Sequence, residues 1–199
     1  MLSEIKTLGR GPVLSALALT VIGSSAMFTV FTYIAPILRE QTGASLGYVT
    51  AMLVTYGVGL TVGNWLGGRF ADRSVDRTLV LTLVGLTLVL VVFAVGMSNA
   101  ILTPVVIFLW GVASFALVPP LQVRVMSAAS QAPNLASAVN IGAFNLGNAI
   151  GAALGGAVIA GGLGYPAVAL AGASAAAVGL VVLLLLTVRS RNQACSAAS

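Results

Sequence analysis

Six stretches of nearly unbroken apolar residues, at 12–38, 46–69, 78–97, 101–123, 134–161 and 165–187, alternate with short polar or glycine-rich connections. Each is long enough to cross a hydrocarbon layer of about 30 Å, which takes roughly 20 residues of helix. Helix is preferred to strand because a spanning helix satisfies its backbone hydrogen bonds internally. A barrel needs short alternating segments, not continuous runs such as 178–188. The pattern predicts an all-α membrane protein of six transmembrane helices at 12–188, with a polar segment at 1–11 and a polar tail at 189–199. The first run is too long for the apolar region of a signal peptide and no cleavage pattern interrupts it, so it reads as a retained helix.

The runs also resemble one another in threes. The first helix of each triplet ends in proline followed by arginine, Pro36 with Arg39 and then Pro119 and Pro120 with Arg124. The middle helix of each carries glycine at every fourth position, Gly59, Gly63, Gly67 and Gly147, Gly151, Gly155. Glycines at that spacing let helix backbones approach closely. Because the two triplets begin on opposite sides of the membrane, the expectation is two inverted three-helix repeats, an arrangement common in secondary transporters.

Composition agrees: 59% of residues are hydrophobic and 7% charged, against roughly 25% charged in a soluble domain, so lipid is the expected solvent. A net charge of +5 in a soluble protein would suggest nucleic acid, but here its distribution explains it and no nucleic-acid partner is expected. With a cytoplasmic amino terminus, Lys6, Arg10, Arg69, Arg73, Arg77, Arg124, Arg189 and Arg191 lie inside and Arg39 alone outside, so both termini are expected in the cytoplasm. The single cysteine, Cys195, reads as an idle tail thiol.

Chemistry is sparse. The acids Glu4, Glu40, Asp72 and Asp76 fall in loops or at helix ends and there is no histidine, so no proton carrier lies in the membrane interior. Intramembrane proteolysis needs a base or two acids at membrane depth, so an enzyme is not expected, nor is a metal or a cofactor. Asparagines inside apolar helices are costly unless partnered. Ser137, Asn140, Asn145 and Asn148 fall within an arc of about 140° that faces either a polar cavity or another helix. Ser25, Thr29 and Thr32, with Tyr33 beside them, form a mildly polar stripe that either lines a solute path or satisfies backbone near Pro36. Trp110, near the middle of the fourth run, faces either a cavity or lipid.

The most specific stretch runs from Gly63 to Arg77, where a glycine-lined helix ends in Gly68-Arg69-Phe70-Ala71-Asp72-Arg73 and continues to Arg77. An aspartate among arginines at a membrane surface suits a cytoplasmic gate held by ion pairs or by a neighbouring helix terminus. This stretch resembles the cytoplasmic loop motif of the major facilitator superfamily, Gly-x-Leu-Ala-Asp-Arg-x-Gly-Arg-Arg, matching at Gly68, Ala71, Asp72, Arg73 and Arg77. Val75 stands where the family has glycine and Asp76 where it has a basic residue. Phe31-Thr32-Tyr33-Ile34-Ala35-Pro36-Ile37-Leu38 and the stretch from Ala136 to Asn148 are similar to segments of bacterial sugar-efflux and drug-efflux permeases. The resemblance implies the carboxy-terminal half of a proton-coupled antiporter in the bacterial inner membrane, exporting a sugar or lipophilic drug. It also implies that residues 1–11 match the linker between halves and that the chain works with a second half-transporter or as a homodimer. The alternative is a non-transporting scaffold, or a truncated remnant of a twelve-helix transporter.

Overall fold

The computed structural model describes residues 6–198, with side chains described through Arg189; Glu4 and the side chains of Arg191 and Cys195 fall outside it. From Gly11 onward eight helices build six spans. Helices α1 (Gly11–Phe31) and α2 (Ile34–Thr42) make the first. Then come α3 (Leu46–Ala71) and α4 (Val75–Gly96), followed by α5 (Leu102–Ala116) and α6 (Val118–Ala128), which share the fourth span. Helices α7 (Pro133–Ala160) and α8 (Gly164–Ala198) complete the bundle, and the apolar part of α8 closes at Arg189. No strand occurs among the described residues.

Local chemistry sets the helix ends. Ser45 and Ser74 cap α3 and α4 by accepting from the amides of Tyr48 and Arg77, and Asn99 accepts from Ile101 and Leu102 before α5. Left-handed turns fall on glycine, with φ of 62° at Gly43 and 72° at Gly162, where a β-carbon is strained.

Proline breaks both the first and the fourth span. Pro36 has no amide to offer Thr32, and α1 ends at Phe31 while the Tyr33 amide turns back to Val30 O. Pro119 and Pro120 remove two successive helical bonds, and the fourth span is interrupted at Leu117.

The strongest packing is exchanged between the triplets: α7 lies along α1 and α3 along α5, while α4 pairs with α8. Gly147, Gly151 and Gly155 press on the carbonyls of Val21, Ser25 and Thr29, and Gly59, Gly63 and Gly67 press on those of Phe108, Val112 and Ala116. A β-carbon at any of the six would sit under 3.0 Å from its carbonyl oxygen. Gly147, Gly151 and Gly155 stand 88 positions after Gly59, Gly63 and Gly67, and the two sets of carbonyls stand 87 apart. The bundle is therefore two three-helix units that swap partners. The last carbonyl of each ladder, Thr29 or Ala116, lies at its span's break.

Between the ladders lies a core of Leu19, Met27, Leu83, Leu86, Leu90 and Ile107, capped by an aromatic group. Lipid tails are as apolar as leucine, so close packing and hydrogen bonds hold such a core rather than expulsion from water. The lipid-facing surface is carried by stripes such as Leu81, Leu88, Val92 and Val95 on α4 and Val178, Val181, Leu185 and Val188 on α8. These are exposed residues at helical spacing on the last helix of each triplet, which carries no glycine ladder.

Candidate polar face and gate region

Four polar side chains join the first, fourth and fifth spans toward the end that carries most of the arginines. Thr20 donates to Asn140 Oδ1 at 2.8 Å, Asn140 Nδ2 to Gln122 Oε1 at 2.6 Å, and Gln122 Nε2 to Ser137 Oγ at 2.6 Å. Asn140 is buried. The amide thus joins three helices. Gln122 escaped the sequence reading, although an amide inside an apolar run is the same signal that singles out Asn140.

Single bonds of this kind average about 0.6 kcal/mol, and an unmet buried partner adds a penalty, so Asn140→Leu is expected to cost about 1–2 kcal/mol. Asn145→Leu should change stability little. Thermal unfolding in detergent measures both, and equal effects would contradict the network's role.

The remaining asparagines separate from this cluster. Asn145 is exposed, while Asn148 is half-buried with an Oδ1 that is enclosed and makes no hydrogen bond within the chain. Both lie on α7, whose apolar window is only 17% buried against 61% for the first span. On α3, related to α7 by the repeat, Thr61, Asn64 and Trp65 are likewise exposed.

The first-span stripe points inward. Ser25 and Thr29 are buried, and their hydroxyls donate to Ile22 O and Ser25 O of their own helix; Thr32, although exposed, donates to Phe28 O. Of the two readings open for this stripe, the backbone-satisfying one describes these hydroxyls. Tyr33 lies across Gly155 and Gly156 and donates to Ala152 O at 2.8 Å. Trp110 faces neither cavity nor lipid: it is fully buried, with Tyr56 at 4.5 Å, Phe93 at 6.0 Å and Phe31 at 6.5 Å between ring centroids.

At the arginine-rich end the ion pair is not the expected one. Asp76, in the first turn of α4, accepts from Arg124 of α6, so the third and fourth spans are tied there. Asp72 caps the end of α3, is exposed and pairs with no described residue. Arg73 lies over the Phe70 ring at 6.0 Å, and Arg77 is exposed. An acid in a helix's first turn is favoured by the helix dipole, which suits Asp76 and leaves Asp72 without that support. Arg10 reaches Gln131 at 3.1 Å, joining the start of the chain to the connection before α7.

Residues 17–198 match the family model described as Major Facilitator Superfamily. The chain is 49% identical over 98% of its length to the "Inner membrane transport protein YdhP" of Escherichia coli, covering 50% of that relative. It is 36% identical over 85% of its length to the "Uncharacterized MFS-type transporter YfhI" of Bacillus subtilis. With a "Probable sugar efflux transporter" of Mannheimia succiniciproducens the identity is 32% over 93% of this chain and 47% of the relative. The chain spans about half the length of the relatives it matches.

Proposed function

The chain belongs to the major facilitator superfamily, and from that premise we propose that it acts as one half of a secondary transporter exporting a small neutral or lipophilic solute. It does so in the inner membrane, with both ends in the cytoplasm, against a second half or a second copy of itself. The observation that carries this reading is the exposed amide of Asn145 on the least buried helix, flanked by Asn148, with Asn64 also exposed on α3. Facing lipid, each unpaired amide costs on the order of a few kcal/mol. Covered by a second six-helix unit, the same face becomes the wall of a polar path with neutral hydrogen-bonding groups, which suits a sugar or an uncharged drug better than an anion. The orientation rests on the described cations, seven at one end and Arg39 at the other.

In this reading Asp72, exposed and unpaired among the described residues, meets its partner across the interface in the state closed to the cytoplasm. Arg73 and Arg77 supply the surrounding positive field.

Export of a panel of sugars and uncharged drugs, measured in cells producing this chain together with an amino-terminal half of a relative, tests the proposal. Export is expected only with both halves, and Asp72→Asn should slow it while leaving both halves inserted. Full insertion and association without export of any solute would favour a scaffold.

A further inference from the structure

At the arginine-rich end a cavity of about 530 Å³ opens between the start of α1, α6 and the end of the spanning part of α8. Pro12, Ala128 and Leu186 give it apolar walls, Arg124 and Arg189 enter it from positions 65 apart in the chain, and no acid lines it among the described residues. Arg124 gives one side of its guanidinium to Asp76, and Asp76 lines a second cavity of about 410 Å³ between α4 and α8. That second cavity also holds Arg77 and is walled by Val80, Leu81, Leu184 and Val188. The ion pair therefore links the linings of the two.

Across both cavities three arginines face a single acid. A guanidinium has five donors, of which Asp76 takes only part at Arg124, and Arg189 pairs with no acid among the described residues. Planar guanidinium forks match phosphate oxygens. Leu81, Leu184 and Val188 are exposed on the lipid-facing surface, so the second cavity opens where acyl chains run. The tendency of arginine to collect on one side of a membrane accounts for their number here. It does not account for two of them converging on one cavity, with no acid in its described lining, beside an apolar groove.

We propose that this pair of cavities binds one anionic phospholipid, with its phosphate between Arg124 and Arg189 and an acyl chain along Val80, Leu81, Leu184 and Val188. The proposal rests on the reading that this end faces the cytoplasmic leaflet. Basic recesses between spanning helices on that side bind acidic head groups elsewhere.

Native mass spectrometry of the full chain in detergent, titrated separately with phosphatidylglycerol, phosphatidylethanolamine and inorganic phosphate, provides the test. One retained phosphatidylglycerol is expected, with weaker phosphatidylethanolamine retention. Near 1 kcal/mol per arginine, Arg189→Gln should weaken phosphatidylglycerol binding about fivefold, and it leaves the Asp76–Arg124 pair in place. Arg39→Gln, at the opposite end, should leave binding unchanged. Equal retention of the two lipids, an unaltered Arg189→Gln protein, or inorganic phosphate binding in place of lipid would each overturn the assignment. Orientation plays no part in a detergent measurement, so a negative result would leave the topology reading standing.

Discussion

Alanine in place of Gly63 or Gly151 is expected to destabilise the bundle by about 3 kcal/mol, at the upper end of ordinary overpacking, because the added carbon meets backbone and not a movable side chain. At Gly63 the obstruction is Val112 O with its carbonyl carbon, and at Gly151 it is Ser25 O together with the Thr29 amide. Neither helix can retreat locally, since each ladder has three rungs and separating one strains the next. The protein supplies its own controls. A β-carbon at Gly57, Gly85 or Gly142 meets nothing within 4 Å, and alanine there should be neutral or gain up to about 1 kcal/mol from its better helix propensity. Folded yield and unfolding midpoints in detergent read the contrast. A Gly63→Ala protein as stable as the Gly57→Ala protein would show that the backbones do not touch.

Accumulation of solute driven by a pH gradient is expected to be absent when the chain alone is reconstituted into liposomes, and to appear when an amino-terminal half is added. Coupling to protons needs a group that titrates within the path. Among the described residues the acids are Glu40, at the end of α2 and bonded to Tyr165, and Asp72 and Asp76 at the opposite end, all outside the apolar interior. The amides of Asn140, Asn145 and Asn148 and the hydroxyls of Thr20 and Ser25 relay no net charge in this pH range. The expected loss is therefore complete and not partial. Uptake by the unaccompanied chain, dependent on the gradient, would mean that Asp72 or Asp76 titrates during transport.

The number of spans was legible because hydrophobic length is a local property, while helix ends such as Thr42, Val75 and Ala128, three to five residues beyond the apolar runs, were not. The glycine ladders were legible for a related reason, since a four-residue period marks one helix face whatever lies opposite. What lay opposite was not legible: nothing in the sequence says that Gly151 meets Ser25 while Gly63 meets Val112. The polar residues suffered most from this. Asn140 and Asn145 look alike in an apolar run, yet one finds Thr20 and Gln122 on distant helices and the other finds none. Asp76 read as a blemish in a motif, because its partner Arg124 stands 48 positions away on another span. Trp110 carries no neighbouring cue for the three rings that enclose it, which come from three other helices.

The breaks at Thr32–Tyr33 and Leu117 fall within three residues of equivalent places in the two triplets, each just past the last rung of a ladder, yet the tips beyond them are tethered unequally. Helix α6 is wedged among α1, α3, α4 and α7 and is moored by Gln122 and Arg124. Helix α2 packs chiefly on α3, and its outlying mooring is the exposed contact of Glu40 with Tyr165. A symmetric frame thus has a one-sided compliance. A given sideways force is expected to tilt α2 about its break further than it tilts α6, against the hold of Ile37 and Leu38 in the core, which puts the stiffer pivot and the more yielding one at opposite ends of the bundle.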